Sequence, residues 1–154
     1  MLNTSDKNRV SLTKQTPEEL AGLAQQLLTS DVLMFLPEHW SPLSSLSSAR
    51  AWLEAQQADI FRITSMDESA GLLIIHKAEA QWHIGFLLLP AFWGQGIATV
   101  VVRLVQRLSE REMLKPRLIA GAASENVASI RVLQKCGFEI ATSEDGVFAA
   151  WPSE

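Results

Sequence analysis

The segment Phe92-Trp93-Gly94-Gln95-Gly96-Ile97-Ala98 joins an apolar run that ends at Pro90 to a run with helical period. A helix start exposes free N–H groups and the positive end of its dipole, so it receives a phosphate well. Glycines at Gly94 and Gly96 let the backbone come close to such an anion. Strand–glycine–helix junctions that bind nothing share this local sequence, so the loop alone assigns no ligand. Two phosphate-binding patterns can be tested against it. The dinucleotide fingerprint needs glycine three places after Gly96, where Thr99 stands, and it opens a parallel βαβ unit. The triphosphate loop needs Gly-Lys-Ser/Thr, which is absent. Cys136 is the single cysteine; no base stands near it in sequence, and it reads as a small buried apolar residue. No His/Cys/Asp grouping has metal-ligand spacing, so no metal is expected. There are five Trp and six Phe but no Tyr, so no phenol is available as a proton donor.

Around this loop the elements read as follows. Arg9–Lys14 alternates apolar and polar residues, as a short strand does. Thr16-Pro17-Glu18-Glu19 is a helix start: Thr16 caps, Pro17 suits the first position, and Glu19 completes a capping box. That helix is predicted to reach about Ser30, burying Leu20, Leu23, Ala24, Leu27 and Leu28. A second helix is predicted over Ser48–Ala58, burying Ala51, Trp52 and Ala55. Asp59–Met66, Ala70–Ala78 and Trp82–Leu89 read as three strands joined by turns short enough for antiparallel neighbours. The glycine loop then opens a helix over Gly96–Glu112, with Ile97, Val101, Leu104 and Leu108 inward and Arg103, Arg107 and Arg111 outward. The run Val100-Val101-Val102 is poor helix material, but the flanking period is 3.6. Arg117–Ala123 is a strand, and Val127–Cys136 is a short helix. Gly137 suits a left-handed cap, with Phe138 folding back on Leu133. Phe138–Ala141 and Val147–Trp151 form a closing hairpin. The order β-α-α-β-β-β-α-β-α-β-β is that of a mixed α+β domain spanning residues 1–154 as one unit.

Length and composition narrow the class. A chain of 154 residues fits one domain and buries about two-thirds of its unfolded surface. One cysteine excludes an intrachain disulfide scaffold. Thirteen Lys+Arg against 17 Asp+Glu argue against a nucleic-acid partner, since phosphate binding wants a basic field. No run approaches the roughly 20 apolar residues of a membrane span, so no membrane partner is expected. The opening MLNTSDKNR lacks the apolar core of a secretory leader. The expectation is a soluble cytoplasmic protein.

Trp82–Thr99 (WHIGFLLLPAFWGQGIAT), followed by Asn126–Phe138 (NVASIRVLQKCGF), resembles the GNAT N-acetyltransferase superfamily, and within it the RimJ/RimL-type branch. RVSLTKQTPEEL and DVLMFLPEHW also look like that branch's opening, so the resemblance covers almost the whole chain. It implies a mostly antiparallel mixed sheet of about seven strands with helices on both faces. It also implies acetyl-CoA as the donor. The phosphate loop of the superfamily is Gln/Arg-x-x-Gly-x-Gly/Ala. Trp93 takes its first place, a departure from the consensus, with Gly96 the fourth and Ala98 the sixth. By resemblance, N–H groups from Gly94, Gln95, Gly96, Ile97, Ala98 and Thr99 hold the pyrophosphate. The strand around Leu87 and Leu88 pairs with the pantetheine arm as an added strand does. That strand and Arg117–Ala123 splay apart, with the thioester in the gap. Asn126 matches the family's arm-binding Asn, and Ser129 a branch serine near the sulfur.

Acetyl transfer to an amine needs three things. The ammonium must lose a proton, the tetrahedral oxygen needs an N–H donor such as a strand amide near Leu87–Leu88, and the thiolate needs a proton or a bound water. Many members place a Tyr where this chain has Leu133, so Ser129, directly or through water, is the candidate donor; it also suits a purely helix-capping role. His83 stands where the branch often has a Glu base, and an imidazole ordinarily titrates near pH 6.5. Glu125 is a second candidate base, His76 and Glu68 are weaker ones, and proximity with water as base needs none of them. Glu38, His39 and Trp40 would line the acceptor side by family position, or simply pack as a loop. The acceptor implied is a protein N-terminus or a small amine, and the chain a monomer or homodimer. A non-catalytic acyl-CoA-binding or sensor module is the alternative of a different class. A partner module with an emptied site is a third.

Overall fold

The structure, a computed structural model, describes residues 2–3, 9–29, 45–78, 80–122, 126–144 and 146–152. Its strands are β1 (Leu2–Asn3), β2 (Val10–Lys14), β3 (Asp59–Ser65), β4 (Glu68–Lys77), β5 (Gln81–Leu88), β6 (Arg117–Ala122), β7 (Glu139–Ser143) and β8 (Gly146–Trp151). The helices are α1 (Pro17–Leu27), α2 (Leu46–Ala55), α3 (Ile97–Arg111) and α4 (Val127–Lys135), with one 3-10 turn at Pro90–Phe92. The strands form one sheet in the order β1-β2-β3-β4-β5-β6-β8-β7. Every neighbouring pair is antiparallel except β5 and β6. The seven strands and four helices read from the sequence occur in that order, and the two-residue β1 is added at one edge.

Local chemistry explains the helix ends. Thr16 Oγ1 accepts the Glu19 N–H at 3.2 Å, and Glu19 Oε1 accepts the Thr16 N–H at 3.0 Å, so the capping box is complete. The Thr16 N–H, and after it the Thr16 hydroxyl donating to the same Oε1 at 3.1 Å, hold the Glu19 carboxyl below its ordinary value. Gly137 has φ 88°, and the Phe138 N–H reaches the Leu133 carbonyl at 3.0 Å, closing α4 as expected. The three valines of α3 stay helical because burial outweighs propensity: Val101 and Val102 are fully buried.

One helix is phased differently from the sequence expectation. α2 begins at Leu46 and ends at Ala55, not over Ser48–Ala58: Ser45 caps it, its Oγ accepting the Ser48 N–H at 3.1 Å. The buried residues are therefore Ala49 and Leu53; Ala51 and Ala55 are exposed and Trp52 is half-buried. In the Ser-rich run several serines can cap, and the choice rotates the buried face.

The sheet has a core on each face. On one side α3 and α4 pack on Val10, Leu12, Ile63, Leu73, Ile75, Trp82, Ile84, Leu118 and Ala120. On the other, α1 and α2 pack on Ile60, Leu72, Ile74 and Leu87. β4 is the central strand, buried on both faces from Ala70 to Ile75. Among the described residues no helix is long and apolar enough to cross a membrane.

Candidate active site

The site arises where β5 loses a neighbour. β5 and β6 pair only from Gln81↔Arg117 to Ile84↔Ala120. Beyond that, β6 stays with β8 as far as Ala122↔Val147. β5 stays with β4 as far as Leu88↔Gly71. Residues 85–88 thus have a sheet partner on one side only. A cavity of about 600 Å³ occupies the divergence. Its first wall is the end of β5, Phe86, Leu87 and Leu88.

The glycine loop makes the second wall. Gly94 and Gly96 have φ 74° and 79°, in the region that favours glycine. Gly96 caps α3 without a side chain, and its carbonyl accepts the first helical bond from Val100 N–H at 3.2 Å. The N–H groups of Ile97, Ala98 and Thr99 therefore lie in the unsatisfied first turn, against the cavity. The Ile97 side chain is buried in the core, so only its backbone serves the site. Gln95 turns its amide back onto the Ala91 carbonyl at 3.0 Å. Trp93, 43% exposed, donates its indole N–H to the Leu88 carbonyl at 2.9 Å, tying the loop to the strand.

The start of α4 is the third wall. Asn126 caps this helix through Oδ1, which accepts the Ser129 N–H at 3.3 Å. Asn126, Val127, Ala128, Ser129 and Val132 line the cavity. α4 is held against α3 by buried Gln106, whose Nε2 donates to the Cys136 carbonyl at 2.7 Å. The walls are mostly apolar, with N–H donors gathered at the loop end.

The remaining candidates fall elsewhere. His83 is exposed and does not line the cavity. It pairs across the sheet with His76 and Ile119, on the face opposite α3. His76 Nε2 lies 2.8 Å from the Gln56 carbonyl, and Glu68 is exposed at the start of β4. Leu133 is buried in the core and is not part of the cavity lining. Glu125, Glu38, His39 and Trp40 lie outside the described residues. Burial pushes the Cys136 thiol up, against weaker opposing pulls from Arg103 and Lys135, and its Sγ lies 3.8 Å from the Thr99 carbonyl. It is a protonated thiol held in the packing.

A family profile described as an acetyltransferase (GNAT) domain matches residues 9–139. The chain belongs to the GNAT acetyltransferase family. A probable N-acetyltransferase of Bacillus subtilis (strain 168), YjcK, is 42% identical over 65 residues. That match spans 42% of this chain and only 36% of the relative's length. Among solved structures, RimL, a ribosomal L7/L12 alpha-N-protein acetyltransferase in complex with coenzyme A, superposes with a TM-score of 0.79 at 18% identity, over 97% of each chain. A GNAT acetyltransferase from Bacillus anthracis gives 0.75 at 18% identity, again over 97% of each. The aminoglycoside acetyltransferase AAC(6')-Ib in complex with coenzyme A gives 0.72 at 20% identity, over 92% of this chain and 93% of that one. These three likenesses establish a shared GNAT fold.

Within the GNAT cavity, sequence reasoning missed Phe86, Phe92, Val127, Ala128 and Val132. Two had a readable signal. Phe86 is two residues before Leu88 and shares its face of the strand. Val132 is three residues after Ser129 and shares its face of the helix.

Proposed function

We propose that the chain is an acetyl-CoA-dependent N-acetyltransferase that transfers acetyl directly to a primary amine, a protein N-terminus or a small amine, in a ternary complex. The carrying observation is the unpaired edge of β5 at residues 85–88 opening onto the first-turn N–H groups of α3. An open strand edge suits an extended amide-bearing arm, and a helix N-terminus suits a pyrophosphate. The cavity's size and mostly apolar walls fit such a molecule. Bound there, acetyl-CoA supplies a thioester whose acyl carbon is the electrophile.

The chain's own residues then have distinct tasks. N–H groups from Gly94 to Thr99 hold phosphate oxygens. Asn126 spends Oδ1 on its helix, so it offers the arm its two N–H donors. Cleft-facing amides of β5 stabilise the tetrahedral oxygen. Ser129, half-buried in the cavity wall, holds the proton for the departing sulfur. Cys136, a buried thiol outside the lining, offers no acyl-enzyme route, which supports direct transfer. His83 serves as base from the other face of the sheet, next to the gap where β6 leaves β5, with Glu125 its alternative. Glu38, His39 and Trp40 complete the acceptor side.

His83's place outside the lining favours one second reading, a non-catalytic acyl-CoA-binding module. The discriminating experiment is calorimetry with acetyl-CoA, joined to an amine-acceptor screen that detects released thiol. Binding with turnover supports the enzyme, and binding without turnover on any amine supports the module. No binding at high micromolar acetyl-CoA sinks both. His83→Gln is expected to lower kcat/KM roughly 100-fold and remove the acidic limb of the pH profile; an unchanged profile rejects it as base.

A further inference from the structure

Gly71 lies on β4, outside the cavity lining, yet the backbone beside the cleft depends on it. A Cβ placed on Gly71 would sit 1.9 Å from the Leu87 carbonyl oxygen, 2.9 Å from the Leu87 carbonyl carbon and 3.0 Å from the Leu88 Cα. All three are main-chain atoms, so no rotamer change relieves the clash. At Gly22 and Gly85 an added Cβ meets nothing within 4 Å. Gly71 is also not among the glycines with positive φ, so its requirement is space and not conformation. The β3–β4 register shifts beside it, Ile63 facing Gly71 while Thr64 faces Ser69, which leaves Ala70 as the extra residue of a bulge.

Hydrogen-bond direction shows what this close approach fixes. Gly71 faces Leu88, and the Leu89 N–H donates to the Ala70 carbonyl at 2.8 Å. In an antiparallel ladder that makes Gly71 and Leu88 a non-hydrogen-bonded pair. The N–H and C=O of Leu88 therefore point away from β4, into the gap that β6 has left. Phe86, two residues earlier, has the same orientation. The Leu87–Leu88 peptide is the unit at stake. Its carbonyl is pressed against Gly71, and its N–H faces the cleft. On the cleft side the Trp93 indole already takes the Leu88 carbonyl.

We propose that Gly71 is a positioning residue for the acyl-CoA arm. By carrying no side chain it seats the Leu87–Leu88 peptide against β4, which aims the Leu88 N–H into the cleft. A methyl at position 71 displaces that peptide unit, and with it the donor that the arm's carbonyl meets. This rests on the reading of the cleft as an acyl-CoA site.

The test compares Gly71→Ala with Gly22→Ala by CoA calorimetry, thermal melting and steady-state kinetics. For Gly71→Ala the CoA Kd and the KM for acetyl-CoA are expected to rise about tenfold or more, with the KM for the amine unchanged. Gly22→Ala, inside α1, is expected to keep the wild-type CoA Kd and KM with an equal or higher Tm. A Gly71→Ala protein with a lower Tm but wild-type CoA affinity overturns the proposal, because that is what a purely structural glycine gives. Should Gly71→Ala fail to fold, amide hydrogen exchange on wild type decides. Without CoA, Phe86 and Leu88 amides should exchange fast and Leu87 and Leu89 slowly; with CoA, Leu88 should become protected. Leu88 unaffected by bound CoA overturns the inference alone. Wild type that binds no CoA overturns the functional reading, and Gly71's role with it.

Discussion

The two halves of β5 face opposite demands. At Trp82–Ile84 the strand is paired on both sides, to β4 and to β6. That end is tied further by Asp59, which lies 3.1 Å from both Lys14 and Lys77, and by the Lys77 ammonium, 4.7 Å from the Trp82 ring centroid. Toward Leu88 one side of the strand is open, and glycines and a helix start gather around it. Every backbone polar group must find a partner. The closed half finds it within the sheet; on the open half the Leu88 carbonyl takes the Trp93 indole N–H, and the Phe86 and Leu88 N–H groups face the cleft proposed to hold acyl-CoA. Stability and binding should therefore separate along a single strand, and substitutions at either end can break that separation.

The largest effect is expected at the closed end. Leu118 of β6 is fully buried, in the core that holds Trp82 and Ile84. Leu118→Ala should cost about 2–5 kcal/mol in denaturant unfolding. The CoA affinity of the protein that remains folded should not change. A parallel loss of affinity would show that the two halves act as one unit. At the open end Gly96→Asp is the counterpart. Asp tolerates the left-handed backbone better than most residues, so the fold should survive. Its carboxylate, however, brings negative charge to the helix start proposed to hold phosphate. CoA binding should weaken roughly 100-fold, about 2.7 kcal/mol, with Tm within a few degrees of wild type. Unchanged affinity would move the phosphate site away from this loop.

The same division explains what could be read beforehand. The Thr16–Glu19 box, the Gly137 cap and the Gly94–Gly96 loop were legible because each is settled within a few consecutive residues. The α2 face was not, because several serines compete for its cap. The splay was not legible from residue pattern either: nothing in Gln81–Leu88 marks where a parallel partner stops, and its expectation came through family resemblance. His83 could be placed on a strand, but its side of the sheet relative to the cavity depends on the packing of α3. Gly71 did carry a signal, since a glycine inside an apolar strand marks a bulge or a close backbone approach. What it approaches is set by β5 and lies beyond local sequence.

Gln106 joins the two regions. Its Nε2 bond to the Cys136 carbonyl anchors the cleft-lining helix α4 to the core helix α3. Gln106→Leu leaves that carbonyl buried without its donor, which should cost about 1–2 kcal/mol. Because α4 carries Asn126 and Ser129, CoA affinity should also fall, roughly two- to threefold in calorimetry. A stability loss with no change in affinity would show that α4 is seated by its apolar contacts alone.

The smallest effect tests the tie at the closed end. Burial pulls the Asp59 carboxyl up, but the Lys14 and Lys77 ammonium groups together outweigh it and hold it below its ordinary value. The lysine side chains are 63% and 43% exposed, so solvent screening should limit the tie to about 1 kcal/mol or less. A carboxyl whose folded pKa is lowered adds stability above its unfolded pKa, about 3.9, and loses it as pH falls through the folded value. Wild type should therefore exceed Asp59→Asn by a constant margin above about pH 5. The margin should shrink below pH 4, vanish once the folded carboxyl is protonated, and narrow in 1 M salt. Urea unfolding across pH 2–7 measures it, and a margin independent of pH would mean that shape, not charge, makes the tie. CoA affinity at pH 7 should be the same in both proteins; a change beyond twofold would mean that the closed end sets the geometry of the open one.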